Sequence, residues 1–237
     1  MKPASRRHRG PTLAAGLACL AITASMPALA APAAPEADAR DAEHNDGATP
    51  LLWAVYRGDE TEVSRLLKTG ADWRPGNAFG ATPFSEAART GHAGILALLL
   101  KAGANPRATG TEGQTALHLV ARTGNVEAAK LLAKAGADLN AREGWGGQTP
   151  LMWAASQNQP AMISFLISKG ADANAHATVR DWQRRVTAEG RPKDMNHGGF
   201  TPLLFAAREG FVAAAQALLK GGADINLPDP DGTTPLV

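Results

Sequence analysis

Apolar residues along this chain fall into short clusters punctuated by glycine, and the clusters predict pairs of short helices. Between Gly113 and Ala141 the sequence reads GQTALHLVARTGNVEAAKLLAKAGADLNA. A Thr-Ala-Leu-His opening at Thr115 starts one apolar helix, Gly124 breaks it, a second helix carries Leu131 and Leu132, and Gly136 stops that one. Ala137-Asp138-Leu139-Asn140 leads out, so the segment predicts a helix-turn-helix with an extended exit. The same grammar begins at Asp46. There Leu51, Leu52, Ala54 and Val55 predict a first helix, and Val63, Leu66 and Leu67 a second. Pro50 suits a first helical turn because its missing N–H needs no partner there, and Thr49 stands where a cap is required.

The unit recurs. Thr49, Thr82, Thr115, Thr149, Thr201 and Thr234 are 33, 33, 34, 52 and 33 residues apart, and all but Thr115 precede Pro. Five units close with Gly-Ala-Asp or Gly-Ala-Asn, at Gly70, Gly103, Gly136, Gly170 and Gly222. Gly58, Gly91, Gly124 and Gly210 stand where each first helix must end in a left-handed residue, and the fourth unit has Asn158 there, the next most tolerant residue. A fixed period near 33 is the signature of a repeat architecture. From about Asn45 to Val237 the chain resembles the ankyrin-repeat family, whose units carry T-P-L-H-x-A, a mid-unit Gly and G-A-D-x-N.

The resemblance implies an all-α solenoid in which neighbouring units stack because none buries its own apolar face. Its boundaries fall at 45–77, 78–110, 111–144, 145–197, 198–230 and a partial 231–237, giving five complete repeats and a truncated sixth. It also implies projecting fingers after each G-A-D-x-N, a partner surface on the concave side, and a structural role for His118 in tying neighbouring units together. Carried over residue by residue, that surface comprises Tyr56, Arg89, Arg122 and Arg208 from the first helices, and Phe79, Gln114, Trp145 and Phe200 near the finger tips. Arg and aromatic residues are enriched at interface hot spots. Trp145 is the sharpest case, lying in a Gly-rich tip with few local partners. Trp53, Trp153 and Phe205, four places after their Thr, are assigned instead to packing between units.

The ends and the charge refine this picture. Lys2, Arg6, Arg7 and Arg9, an uncharged run from Thr12 to Ala24, and Ala28-Leu29-Ala30 have the grammar of an export signal over residues 1–30. The run is too short to span a bilayer, so cleavage after Ala30 and no membrane insertion of the mature chain are expected. Arg6-Arg7 lacks the apolar residues that follow a twin-arginine pair, and Cys19 lies in mid-run and reads as a small apolar residue. Residues 31–44 read as a disordered linker. Cleavage leaves 20 basic against 22 acidic residues, shifting the formal charge from +2 to −2. That removes the compositional argument for nucleic acid as a partner. The mature chain also holds no cysteine for disulfides or thiol chemistry.

One interval departs from the period. The 19 residues in excess between Thr149 and Thr201 fall within 176–197 and predict an extended finger. It carries Arg180, Arg184, Arg185, Arg191 and Lys193 with Trp182, and Trp182, Arg184 and Arg185 join the candidate partner surface. Two readings stand side by side, a recognition finger and a solvated loop whose entropy cost grows slowly with length. His176 and His197 bracket it without a third ligand, which leaves them as polar loop ends and not a metal site.

Nothing in the sequence has catalytic spacing, and the acidic residues that recur, Asp72, Asp138, Asp172 and Asp224, have the placement of turn chemistry. The chain therefore reads as a monomeric, non-enzymatic, exported bacterial scaffold, periplasmic or extracellular, without a cofactor. Its expected partner is a protein held by the concave surface and the finger. Two other classes fit the same residues: the targeting module of an enzyme whose catalytic domain lies beyond Val237, and a binder of an anionic envelope polymer through the finger's basic residues.

Overall fold

A computed structural model describes residues 46–179 and 198–236. The described residues contain ten helices in five pairs and two isolated β-bridges, with no strand. The pairs are α1 (Pro50–Tyr56) with α2 (Glu60–Lys68), α3 (Pro83–Thr90) with α4 (Ala93–Lys101), and α5 (Ala116–Thr123) with α6 (Val126–Lys134). They continue as α7 (Pro150–Ala155) with α8 (Pro160–Ser168) and α9 (Pro202–Arg208) with α10 (Val212–Lys220). Each first helix packs on the first helix of the next pair, and each second helix on the next second helix. The result is the all-α stack that the period implies.

Local chemistry starts and stops these helices where the spacing places them. Thr49, Thr82, Thr149 and Thr201 cap α1, α3, α7 and α9, each hydroxyl accepting a backbone N–H at 3.2–3.4 Å. A cap of this kind is worth about 1 kcal/mol. Gly124 ends α5 at φ 75°, and Asn158 takes the corresponding left-handed conformation at φ 52°. The substitution brings a second bond, because Asn158 Oδ1 accepts the Ala214 N–H in the first turn of α10 at 3.2 Å. That turn starts at Phe211, which offers no side-chain cap of its own.

Burial runs along the seams. Leu51, Leu96, Leu99, Leu117, Leu132, Leu151, Ile163, Leu166 and Leu218 are fully enclosed. Burying one such side chain contributes on the order of 1.5–3 kcal/mol. Polar stitches run beside them. Asn140 Nδ2 donates to Gly170 O at 3.4 Å while its Oδ1 accepts the Asp172 N–H at 2.9 Å. Asn174 repeats the pattern with Gly222 O and the Asp224 N–H, at 3.3 and 2.8 Å. In the second pair Arg107 occupies this place and donates to Gly136 O at 2.8 Å.

The long interval between Thr149 and Thr201 leaves the stack unbroken, since α9 packs on α7 and α10 on α8. Its base is a pair of antiparallel arms. Ala177 N–H donates to Phe200 O at 3.0 Å, Gly199 N–H to Thr178 O at 3.2 Å, and Val179 bridges Gly198. His176 Nδ1 donates to Gly199 O at 2.9 Å, which gives that histidine a structural tie across the arms. Trp182, Arg184, Arg185 and the other basic residues of the extended finger lie outside the described residues, as do the expected signal segment, the linker and His197.

Candidate interaction face

The first helices present residues four and seven places after each capping Thr on one face, because i and i+3 share a helix face. At α1 these are Trp53 and Tyr56, whose rings meet edge to face with centroids 5.7 Å apart. At α3 they are Glu86 and Arg89. The guanidinium binds both carboxylate oxygens, Nε to Oε2 at 2.8 Å and Nη2 to Oε1 at 2.5 Å. Glu86 is buried and Arg89 exposed, and this hydrogen bonding holds the Arg89 pKa above its usual value.

Further along, Arg122 lies over the Trp153 ring of the next pair, 5.8 Å from its centroid. That indole also meets His118 edge to face, with centroids 5.3 Å apart. His118 is fully enclosed, and its Nδ1 accepts the Thr115 N–H at 3.1 Å. With Nδ1 accepting, Nε2 carries the proton and donates to Gln148 O at 3.0 Å, across the seam. Desolvation lowers the His118 pKa, against the weaker opposing pull of the Gln148 carbonyl. The histidine is therefore a neutral tie between pairs.

Arg208 lies over two rings, 5.3 Å from Phe200 and 5.7 Å from Phe205, and pairs with Glu209 at 2.8 Å. Phe200 corrects the expectation of an exposed finger-tip residue. It is buried, stacked edge to face on Phe205 at 5.5 Å, because it closes the base of the arms onto α9. The assignment of Trp53 and Trp153 to packing holds only in part. Both are half-buried, and one side of Trp153 supports Arg122 on the face.

Trp145 and Phe79 stand out, at 72% and 79% exposure. A buried carboxylate sets the turn beneath Trp145. Glu143 accepts the N–H groups of Trp145, Gly146 and Gln148 at 2.5, 2.7 and 3.0 Å. Neighbouring fingers are linked through their backbones, Gly144 N–H to Glu112 O and Thr178 N–H to Gly146 O, each at 2.7 Å. Arg142 adds bonds to Gly147 O at 3.0 Å and to His176 O at 2.6 Å. The indole is thus presented from a held turn.

Family comparison agrees with this architecture. A family model described as "Ankyrin repeats (3 copies)" matches residues 20–109 and 103–177, and one described as "Ankyrin repeat" matches residues 198–230. The chain belongs to the ankyrin-repeat family. Rabankyrin-5 of Homo sapiens is 35% identical over 89 residues, 38% of this chain and 7% of that protein. Rabankyrin-5 of Mus musculus is 34% identical over 89 residues, with the same coverage. The chain thus matches only 7% of the length of these relatives.

Against the family's pattern, this ankyrin array keeps the motif His only at His118. Leu52, Ser85, Met152 and Leu204 fill the same place in the other units. Ser85 preserves half of the job, its Oγ accepting the Thr82 N–H at 2.9 Å. Sequence reasoning missed Glu143, Arg142 and Asp46 as organisers of the fingers. The legible signal for Glu143 was an acid directly before Gly-Trp-Gly-Gly, the place from which a carboxylate collects the N–H groups of a tight turn. Among the described residues no three or more His, Cys, Asp or Glu side chains cluster to hold a metal, and no helix is long and apolar enough to cross a membrane.

Proposed function

We propose that this chain is an exported, non-catalytic scaffold that binds a protein partner through its first-helix face and finger tips. Ankyrin repeats generally mediate protein–protein interaction, and the family membership supports that coarse reading. The observation that carries it here is the combination of exposed aromatics with rigid mounts. Tyr56 ends a capped helix, Trp145 stands on the turn set by Glu143, and neither is a core side chain of the stack. Large exposed rings held in fixed positions lose little conformational entropy on binding, which makes them suitable anchors. Arg122 and Arg208 extend the same surface, each backed by a ring.

Export is the second part of the proposal and rests on the grammar of residues 1–30. N-terminal sequencing of the protein recovered outside the cytoplasm is expected to begin at Ala31. A chain that retains Arg6 and Arg7 contradicts it. The binding part is tested by selecting binders to the full chain from a protein display library and measuring them against Tyr56→Ala and Trp145→Ala. Loss of at least about 2 kcal/mol at either position supports an anchor. Binders indifferent to both overturn the assignment of this face.

A further inference from the structure

The first two helix pairs enclose a groove of about 590 Å³ whose lining includes Asp46, Leu52, Tyr56, Phe79 and Arg89. Its aromatic wall is open to solvent, Tyr56 at 57% and Phe79 at 79% exposure. Its polar end is Asp46, which is held in place. Oδ1 accepts the Ala48 N–H at 3.0 Å, Oδ2 accepts Asn77 Nδ2 at 3.3 Å, and the Asp46 carbonyl takes the Ala78 N–H at 2.6 Å. Each carboxylate oxygen keeps a lone pair beyond these bonds.

No Lys or Arg lies within ion-pair distance of Asp46 among the described residues. The cation that lines the groove does not serve it, because both oxygens of Glu86 hold Arg89. A fixed carboxylate with no cation of its own among the described residues therefore shares a groove with two exposed rings.

We infer that this groove receives an arginine side chain from the protein partner, with the guanidinium on the Asp46 carboxylate and the side chain against Tyr56 and Phe79. The inference rests on the protein-binding reading above and specifies the partner's chemistry. Complementarity selects the residue type. An aliphatic side chain would cover Asp46 and leave its charge without a counter-ion, and an acidic one would be repelled by it. Lysine satisfies the charge as a strongly hydrated point. Arginine also lays a planar, weakly hydrated face on aromatic rings and offers two parallel N–H groups to a carboxylate.

The test uses the full chain, isotopically labelled for NMR, and three short capped peptides of identical length that differ only at the central residue: arginine, citrulline or glutamate. Citrulline keeps the shape and removes the charge. The arginine peptide is expected to shift the amide signals of Asp46, Tyr56 and Phe79 saturably, and to bind about tenfold more tightly than the citrulline peptide, the factor one charge-assisted contact supplies. Asp46→Asn keeps one oxygen for the Ala48 N–H and gives up the 3.3 Å bond from Asn77, and it is expected to bring the two peptides level at a temperature where the variant is folded. Equal binding of arginine and citrulline in the parent chain, preference for glutamate, concentration-dependent self-association at these residues, or no shift at all overturns the inference. A peptide library panned on the same chain separates the two readings. Binders that lack a basic residue but fail on Trp145→Ala leave the face as a partner site and remove only the arginine claim. Binders indifferent to every substitution on the face remove both.

Discussion

The seam between the third and fourth helix pairs and the groove between the first and second are built from the same backbone unit, yet one is closed and the other open. At the closed seam, His118 bonds to Thr115 and Gln148, Trp153 covers it, and Arg122 covers Trp153. At the open one Leu52 occupies the histidine's place, Arg89 turns back onto Glu86, and Tyr56 and Phe79 face solvent. Side chains three, four and seven places after the capping Thr therefore decide whether a unit spends its face on its neighbour or leaves it for a partner. The repeat motif supplies the stack, and departures from it supply the surface.

The largest effect is expected in the core. Leu132→Ala is expected to cost about 2–5 kcal/mol by opening a cavity in a fully enclosed site. Tyr56→Ala, on the open side, loses only the edge contact with Trp53 and is expected to cost about 1 kcal/mol or less. Urea denaturation of the two variants measures the contrast, and comparable midpoints would mean that the seams do not bear the stability.

Next in size is His118. His118→Ala leaves the Thr115 N–H and the Gln148 carbonyl without their partner, at a cost of about 1–3 kcal/mol for a buried donor or acceptor. The pH dependence has a definite sign. Because the folded-state pKa lies below the unfolded value of about 6.5, the unfolded chain takes up the proton first as pH falls. The histidine's contribution is complete above that unfolded value and declines below it until the folded pKa is passed. The gap in urea midpoint between the parent chain and His118→Ala is therefore expected to narrow from pH 7.5 toward pH 5. A constant gap would mean an imidazole with an unshifted pKa, and a gap that widens toward pH 5 a charged imidazole at the seam.

A smaller effect is expected at Asn158. Asn158→Ala removes the bond to the Ala214 N–H and puts an alanine at φ 52°, for a combined cost of about 1–2 kcal/mol. Asn158→Gly keeps the backbone conformation and loses only the bond, so it is expected to cost less. The reverse order of melting temperatures would show that the left-handed conformation costs alanine nothing at this position. The smallest expected change follows replacement of residues 180–197 by Asn-Gly, a two-residue hairpin turn between the bridged Val179 and Gly198. Since α9 already packs on α7, the melt is expected to remain cooperative with an unchanged midpoint. A separate early transition would mean that the inserted segment holds the last pair in place.

The helices were legible because their punctuation is chemical. Thr-Pro starts, Gly and Asn158 stops and the apolar clusters each act within one turn of chain, and the 33-residue spacing then implied the stack. The face was legible as a set of positions but not as an arrangement. Arg89, Arg122 and Arg208 occupy the expected places, but Glu86, Trp153 and Phe205, each four places after a capping Thr, determine where their charges lie; Trp153 and Phe205 read from the sequence as packing side chains, and Glu86 carries no sequence signal of its role. Phe200 was misplaced for a related reason. Its position after the finger suggested exposure, whereas the pairing of Ala177 with Phe200 turns its ring onto Phe205, a contact between segments 23 residues apart that no local pattern records. Asp46 went unnoticed because its role depends on Asn77 and Ala78, one finger later.

Stability and recognition reside in different side chains in this account. The most direct test combines Tyr56→Ala, Arg122→Ala and Trp145→Ala in one chain and measures its affinity for library-selected partners of the parent, at a temperature where both chains are folded. Loss of binding by well over a hundredfold, as expected when more than one hot-spot side chain of about 2 kcal/mol each is removed, agrees with the account. Retention of parent affinity in the folded triple variant contradicts it.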